Sequence, residues 1–164
     1  MRILQPAVII GLLLALSGCT DQEDKKLSTA ATNSMTLAGL KVSLTVPDRE
    51  FAPGERFEAA VTVENVSDRT VTLAADSAAP VYVRLWRHTA IGWDEIRQYP
   101  WTPGLQGAAR SLPPGYSQTH TMELTVEPNW PTNEFLRLTA EANGMPQLMP
   151  GVSIMVLPAA VEDE

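Results

Sequence analysis

Leu40-Lys41-Val42-Ser43-Leu44-Thr45-Val46-Pro47 alternates apolar and polar residues at every step until proline interrupts it. Successive side chains of an extended chain point to opposite faces. This period therefore puts Leu40, Val42, Leu44 and Val46 on a buried face and turns Lys41, Ser43 and Thr45 towards water. The stretch reads as a half-buried β-strand. The same period recurs downstream. Phe57, Ala59, Val61 and Val63 oppose Glu58, Thr62 and Glu64. Val71 and Leu73 open a third strand, and Val81, Val83 and Leu85 oppose Tyr82, Arg84 and Trp86. Ile96 to Tyr99 is a weaker candidate. Met122, Leu124 and Val126 form the inward set of a strand over 119–127, and Leu136, Leu138 and Ala140 that of one over 135–141. Residues 151–158 are apolar on both faces, as expected of a strand that is central or covered by a loop.

Turn-forming residues separate these runs. Phe51-Ala52-Pro53-Gly54-Glu55 combines a proline with preset φ and a glycine free to take φ > 0. Asn65-Val66-Ser67-Asp68 is a second turn. A turn-rich stretch with four prolines runs from Pro100 to Gly115 and ends in Leu112-Pro113-Pro114-Gly115. Seven clear strands, seven to eight in all, with Pro/Gly turns between them predict an all-β, antiparallel β-sandwich. No alternation of strands with helical periods argues for an α/β fold. The Phe51–Glu55 turn leads into Val61-Thr62-Val63-Glu64-Asn65-Val66-Ser67, and the Leu112–Gly115 turn leads into Leu124-Thr125-Val126. In this pattern the chain resembles bacterial immunoglobulin-like sandwich domains, and the bacterial intracellular proteinase-inhibitor domain shares the look. The resemblance covers about residues 40–157 and implies an immunoglobulin-like sandwich. The antibody-type cysteine pair is missing, no tyrosine begins the strand at Phe135, and no binding residue is carried over.

Ahead of the domain, Met1-Arg2 supplies a positive end and Ala7 to Leu16 an apolar run, closed by Leu16-Ser17-Gly18-Cys19 with the single cysteine of the chain. The run is shorter than the roughly 20 residues a bilayer-spanning helix needs, and the order of features is that of a secretory signal. All four positions match the signal motif of bacterial lipoproteins, which this amino terminus resembles. The resemblance implies cleavage between Gly18 and Cys19, a diacylglycerol on the Cys19 sulfur, and acylation of the new amino group by a chain such as palmitate. A thiolate forms a thioether readily. Each buried methylene contributes about 0.8 kcal/mol, and two or more chains on one residue anchor stably. Thr20, where many inner-membrane lipoproteins carry Asp, implies the outer membrane, facing the periplasm. The expected organisation is a signal peptide over 1–18, lipidated Cys19 and a flexible linker over 19–37, the sandwich over 38–160, and an acidic tail over 161–164. Thr20 to Met35 is polar and poor in large apolar residues, so it reads as a tether with a reach on the order of 20–25 Å.

The chain has 12 Lys+Arg against 19 Asp+Glu, a net charge of −7. Removing residues 1–18 takes only Arg2 and leaves 11 against 19, or −8. An acidic surface disfavours nucleic acid as a partner. With Cys19 lipidated, no cysteine remains for disulfides, so the core alone holds the fold. His88 and His120 are the only histidines and read as surface residues, His120 on the polar side of its strand. No His, Asp or Glu cluster has metal-ligand spacing, and no cofactor motif is present. Ser111 and Ser117 lack a nucleophile elbow. Asp94 and Glu95 are adjacent, so a strand points them to opposite faces. These readings predict a protein that is not an enzyme. Trp86, Trp93, Tyr99 and Trp101 fall within sixteen residues, with Arg84, Arg87 and Arg97 close by. Trp86, Arg87, Trp93, Tyr99 and Trp101 are therefore the candidate contact residues for an envelope protein, or alternatively for a glycan. The competing role for these rings is to cover one end of the sandwich. The 100–115 loop is a second candidate, as an inhibitory loop presented to a protease.

Overall fold

The computed structural model describes residues 30–73, 81–100, 110–142 and 145–159, and among them every regular element is a β-strand. They are β1 (Ala31–Leu37), β2 (Leu40–Val46), β3 (Glu50–Phe51), β4 (Arg56–Asn65), β5 (Val71–Leu73) and β6 (Val81–Thr89), then β7 (Gly92–Pro100), β8 (Arg110–Leu112), β9 (Ser117–Thr125), β10 (Phe135–Ala142) and β11 (Gly151–Val156). One sheet has the order β1-β2-β4-β9, a second β3-β11-β10-β6-β7, and β5 pairs with β8 in a small third.

The alternation decides the layers. Leu40, Val42, Leu44 and Val46 of β2 are buried, as are Phe57, Ala59, Val61 and Val63 of β4, beside which Leu124 of β9 is buried too. From the second sheet Val81, Val83 and Leu85 of β6 join Leu136, Leu138, Ala140 and Ala142 of β10 and Val152, Ile154 and Val156 of β11. β2 packs on β10 and β11, so both inner faces contribute to one core. Full burial of each Val, Leu, Ile or Phe among them contributes about 1.5–3 kcal/mol.

Five readings of the sequence change. The linker expected over 19–37 ends sooner, because residues 31–37 form β1, paired with β2 from Ala31↔Val46 to Leu37↔Leu40. Thr32 to Leu37 are exposed, so no apolar period marks this strand. It is held by the backbone ladder, by hydroxyl contacts Thr32–Thr45 at 2.9 Å and Ser43–Ser34 at 3.0 Å, and by Asn33, whose amide donates to the Gly151 carbonyl at 2.7 Å. Its turn is the two-residue Ala38-Gly39, with φ of 50° and 81°, a pairing of positive angles that suits a hairpin twist. Gly39 is required there for a second reason: a Cβ would lie 2.6 Å from the Cβ of Ser67.

Second, eleven strands rather than seven or eight appear among the described residues, the additions being β1 and the short β3 and β8, with the weak 96–99 candidate extended to nine residues in β7. Third, the pairing is not wholly antiparallel: β3 runs parallel to β11, Met155 facing Glu50 and Val156 facing Phe51. Fourth, β11 is one-sided, with Ser153 exposed and Gly151 and Met155 half-buried, although it does lie inside its sheet. Fifth, His120 is buried and lies across from Val61 in the β4–β9 ladder. It shares the parity of Met122 and Leu124, and so belongs to the inward set. The acidic tail over 161–164 lies outside the described residues.

Candidate functional site

The outer face of the five-stranded sheet carries the residues that alternate with the core. On β6 these are Tyr82, Arg84, Trp86 and His88; on β10 they are Phe135, Arg137, Thr139 and Glu141. The ladder sets Trp86 across from Arg137 and Arg84 across from Thr139. On β7, His88 faces Trp93 and Trp86 faces Glu95, but Leu85 faces Arg97. Ile96 is the extra residue of a β-bulge. The bulge reverses the parity of β7. Trp93 stays on the outer face, whereas Tyr99, six residues on, turns inward and packs against the core.

Trp86, Trp93, Arg137, Thr139 and Met149 line an open cleft of about 250 Å3. Trp86 is half-buried, and its indole Nε1–H donates to the Thr139 hydroxyl at 2.8 Å, which fixes the ring plane. Thr139 is buried beneath it. Trp93 is 45% exposed and meets His88 edge-on, with ring centroids 5.0 Å apart and an interplanar angle of 74°. The Arg137 guanidinium lies 5.8 Å from the Trp93 ring centroid, within cation–π reach. Arg84 stands 6.0 Å from the Trp86 ring, and its charge is met by Glu95 at 3.5 Å and Glu141 at 3.2 Å. Gly151 of β11 gives Arg137 its seat: a Cβ there would fall 2.5 Å from the Arg137 Nε.

Of the expected contact residues, Trp86 and Trp93 meet in this cleft. Arg87 leaves the other face of β6 and clasps Glu134 with two hydrogen bonds, each of 2.9 Å. Tyr99 is on the inner side. Its hydroxyl lies by the Trp130 indole N–H; both are buried, and among the described residues neither makes a hydrogen bond of full geometry. Burial, reinforced by the Glu127 carboxylate, pushes the Tyr99 hydroxyl up to about 12, with Arg97 and the Trp130 N–H pulling the other way. The unfolded chain releases this proton near pH 10, while the folded chain holds it to about 12. Stability is therefore complete below pH 10 and declines as pH rises from 10 to about 12. Tyr99→Phe removes the buried hydroxyl, raises stability at neutral pH by up to about 1 kcal/mol, and flattens this alkaline decline; urea titrations at pH 8 and pH 11 measure both.

Trp101, Gly18 and Cys19 lie outside the described residues, as do 101–109 of the long loop; residues 110–112 of that loop form β8 against β5. His88 is exposed, Ser111 sits in β8 and Ser117 opens β9. Glu95 faces Trp86 and Asp94 faces Arg87, so these carboxylates do point to opposite faces. Among the described residues no group of three or more His, Cys, Asp or Glu could hold a metal ion. Arg137, Thr139 and Met149 were not anticipated. Arg137 and Thr139 do carry a local sign, since they alternate with Leu136, Leu138 and Ala140. Their meeting with Trp86 depends on β10 lying beside β6.

No family model matches the chain, and no curated protein does. Solved structures do resemble it. The sporulation control protein Spo0M of Bacillus subtilis superposes with a TM-score of 0.56 at 12% identity, over 74% of this chain and 51% of its own. The alkylpurine DNA glycosylase AlkC of Pseudomonas fluorescens, bound to DNA containing an abasic site analog, superposes with a TM-score of 0.50 at 16% identity, over 74% of this chain and 31% of its own. The chain thus spans about half of the first protein and a third of the second. At such identities the likeness is one of fold, and what this chain shares with both is a β-rich body.

Proposed function

We propose that this chain is a lipid-anchored, immunoglobulin-like β-sandwich of the bacterial cell envelope, which acts by binding an envelope protein and not by catalysis. The observation that carries the reading is the cleft between Trp86 and Trp93. Trp93 stands nearly half exposed outside the core, and large rings and arginines are the side chains that dominate protein contacts. The surround is also apolar: Phe135, on the same face as Arg137, is 70% exposed, and Ile91 at the tip of the β6–β7 turn is 95% exposed. The sandwich reading is supported by two sheets sharing one core, and the anchor by the Leu16-Ser17-Gly18-Cys19 motif. With β1 starting at Ala31, eleven residues separate it from Cys19, a typical reach of about 20 Å. The body is then held close to the lipid headgroups.

The test uses intact cells. A photoreactive phenylalanine at position 93 captures one defined partner; the same group at Thr121, exposed on β9 of the other sheet, does not. Cys19→Ala abolishes incorporation of labelled palmitate and releases the chain from the membrane fraction. Equal capture from both positions would remove the binding face, and a membrane-bound Cys19→Ala chain would remove the anchor.

A further inference from the structure

The cleft offers one charged group. The Trp86 N–H is already given to Thr139, so that ring presents its π-face and carbon edge. Thr139 is covered, and Met149 contributes a thioether chain. What remains is the Arg137 guanidinium, held over Trp93 and seated against Gly151. Among the described residues no carboxylate lies within 4.0 Å of it, while Arg84, Arg87 and Arg97 are each engaged by glutamates. In a chain with 19 acidic residues, that is an arginine kept out of an ion pair beside an apolar recess.

We infer that the cleft binds a carboxylate carried on a small apolar body, with Arg137 taking the carboxylate and the two indoles taking the body. The proposal rests on the binding-module reading above and names the ligand chemistry of that face. A guanidinium matches a carboxylate with two parallel N–H···O bonds, and apolar walls strengthen that pairing by lowering the local dielectric. A recess of about 250 Å3 is small for a ligand pocket and suits one apolar side chain with its carboxylate. A neutral sugar is a poorer match, because its hydroxyls need several polar partners. A phosphate dianion would leave one of its charges unmatched by a single guanidinium, against a net charge of −7. Two sources share the favoured chemistry: the C-terminus of a peptide ending in an apolar residue, and a free aryl or alkyl carboxylate.

The full chain, purified with its anchor in detergent micelles, is titrated by calorimetry with four probes. They are acetyl-Ala-Ala-Phe, its C-terminal amide, 3-phenylpropionate and N-acetylglucosamine. The free peptide acid is expected to bind with Kd between about 10 μM and 1 mM, and its amide at least tenfold more weakly. Arg137→Gln weakens the acid about tenfold and leaves the amide unchanged. Gly151→Ala does the same by pushing the guanidinium aside, a Cβ there lying 2.5 Å from the Arg137 Nε and 3.0 Å from the Thr139 Cγ2; binding of the amide, which does not need the guanidinium, is the control that the cleft itself is intact. If 3-phenylpropionate matches the peptide acid, the ligand is a free carboxylate; if only the peptide acid binds, it is a chain terminus. Equal affinity for acid and amide, indifference to Arg137→Gln, no binding of any acid up to about 10 mM, or tighter binding of N-acetylglucosamine would each overturn the inference. Photocapture through position 93 that persists in such a case leaves the binding face standing and removes the carboxylate alone.

Discussion

Phe51→Ala lowers the free energy of unfolding by about 3–5 kcal/mol. Phe51 is buried and stacks on Phe57 with ring centroids 4.0 Å apart and an interplanar angle of 21°. It belongs to a strand of two residues, so little else holds β3 in place. The backbone ties around it are few: Met155 N–H donates to the Arg49 carbonyl at 2.8 Å and Leu157 N–H to the Phe51 carbonyl at 2.9 Å. Truncation leaves a cavity beside Phe57, which the rigid turn over 52–55 does not let the chain close. That turn is fixed by Gly54 at φ 80° and by the Ala52 N–H donating to the Glu55 carboxylate at 2.7 Å. Urea unfolding gives the loss, and amide exchange at Met155 and Leu157 accelerates first, because their acceptors move with β3. Phe51→Leu recovers most of the volume and retains more than half of the lost stability. A loss under about 1 kcal/mol for the alanine variant would show that this edge is not part of the core.

Asn65→Ala is expected to cost about 3–4 kcal/mol, more than most single polar substitutions. Asn65 ends β4 and is buried, and its amide is fully used. Its Nδ2 donates to the Arg69 carbonyl at 2.7 Å and to the Leu112 carbonyl at 2.8 Å. Its Oδ1 accepts from the Ser67 N–H at 3.0 Å and the Ser67 hydroxyl at 2.7 Å. Its backbone adds a bond to the Tyr116 carbonyl at 2.8 Å. One side chain therefore joins the 65–69 turn to the end of β8, and the backbone of the same residue ties in the segment that leads into β9. Alanine leaves the Leu112 carbonyl without its donor in a buried site, which costs about 1–3 kcal/mol by itself. Asn65→Asp keeps the shape but loses both donors and buries a charge. Burial raises the pKa of the new carboxyl, so the deficit narrows as pH falls towards about 4, below which the group is neutral in both the folded and the unfolded chain. Thermal unfolding at pH 7 and pH 3.5 distinguishes the two variants, and an Asn65→Ala chain as stable as the parent would refute the role assigned to this amide.

The aromatic cluster shows how far local reading of the sequence goes. Trp93 and Tyr99 have the same parity in sequence, so an unbroken strand would place them on one face. The bulge at Ile96 sends one outward and the other into the core, and no turn residue announces it. β1 was hidden for another reason. Its stability comes from β2 and from an Ala38-Gly39 turn that lacks the asparagine usual at such positions, so its own polar residues resemble a tether. The cleft combines residues 86, 93, 137, 139 and 149, which only the order β10-β6-β7 brings together.

What the sequence determined alone was the set of strands with a clean period of two and the side of each that faces inward: Leu40 to Val46, Phe57 to Val63, Val81 to Leu85, Leu124, and Leu136 to Ala140. That follows because pleating is a property of neighbouring residues. What the tertiary structure alone decided was which strands lie side by side, the parallel seat of β3, the reversal of parity in β7, and the pairing of Trp86 with Thr139 and of Arg137 with Trp93. Those outcomes depend on contacts between residues far apart in the chain, whose free energy is realised only once both sheets have closed on their shared core.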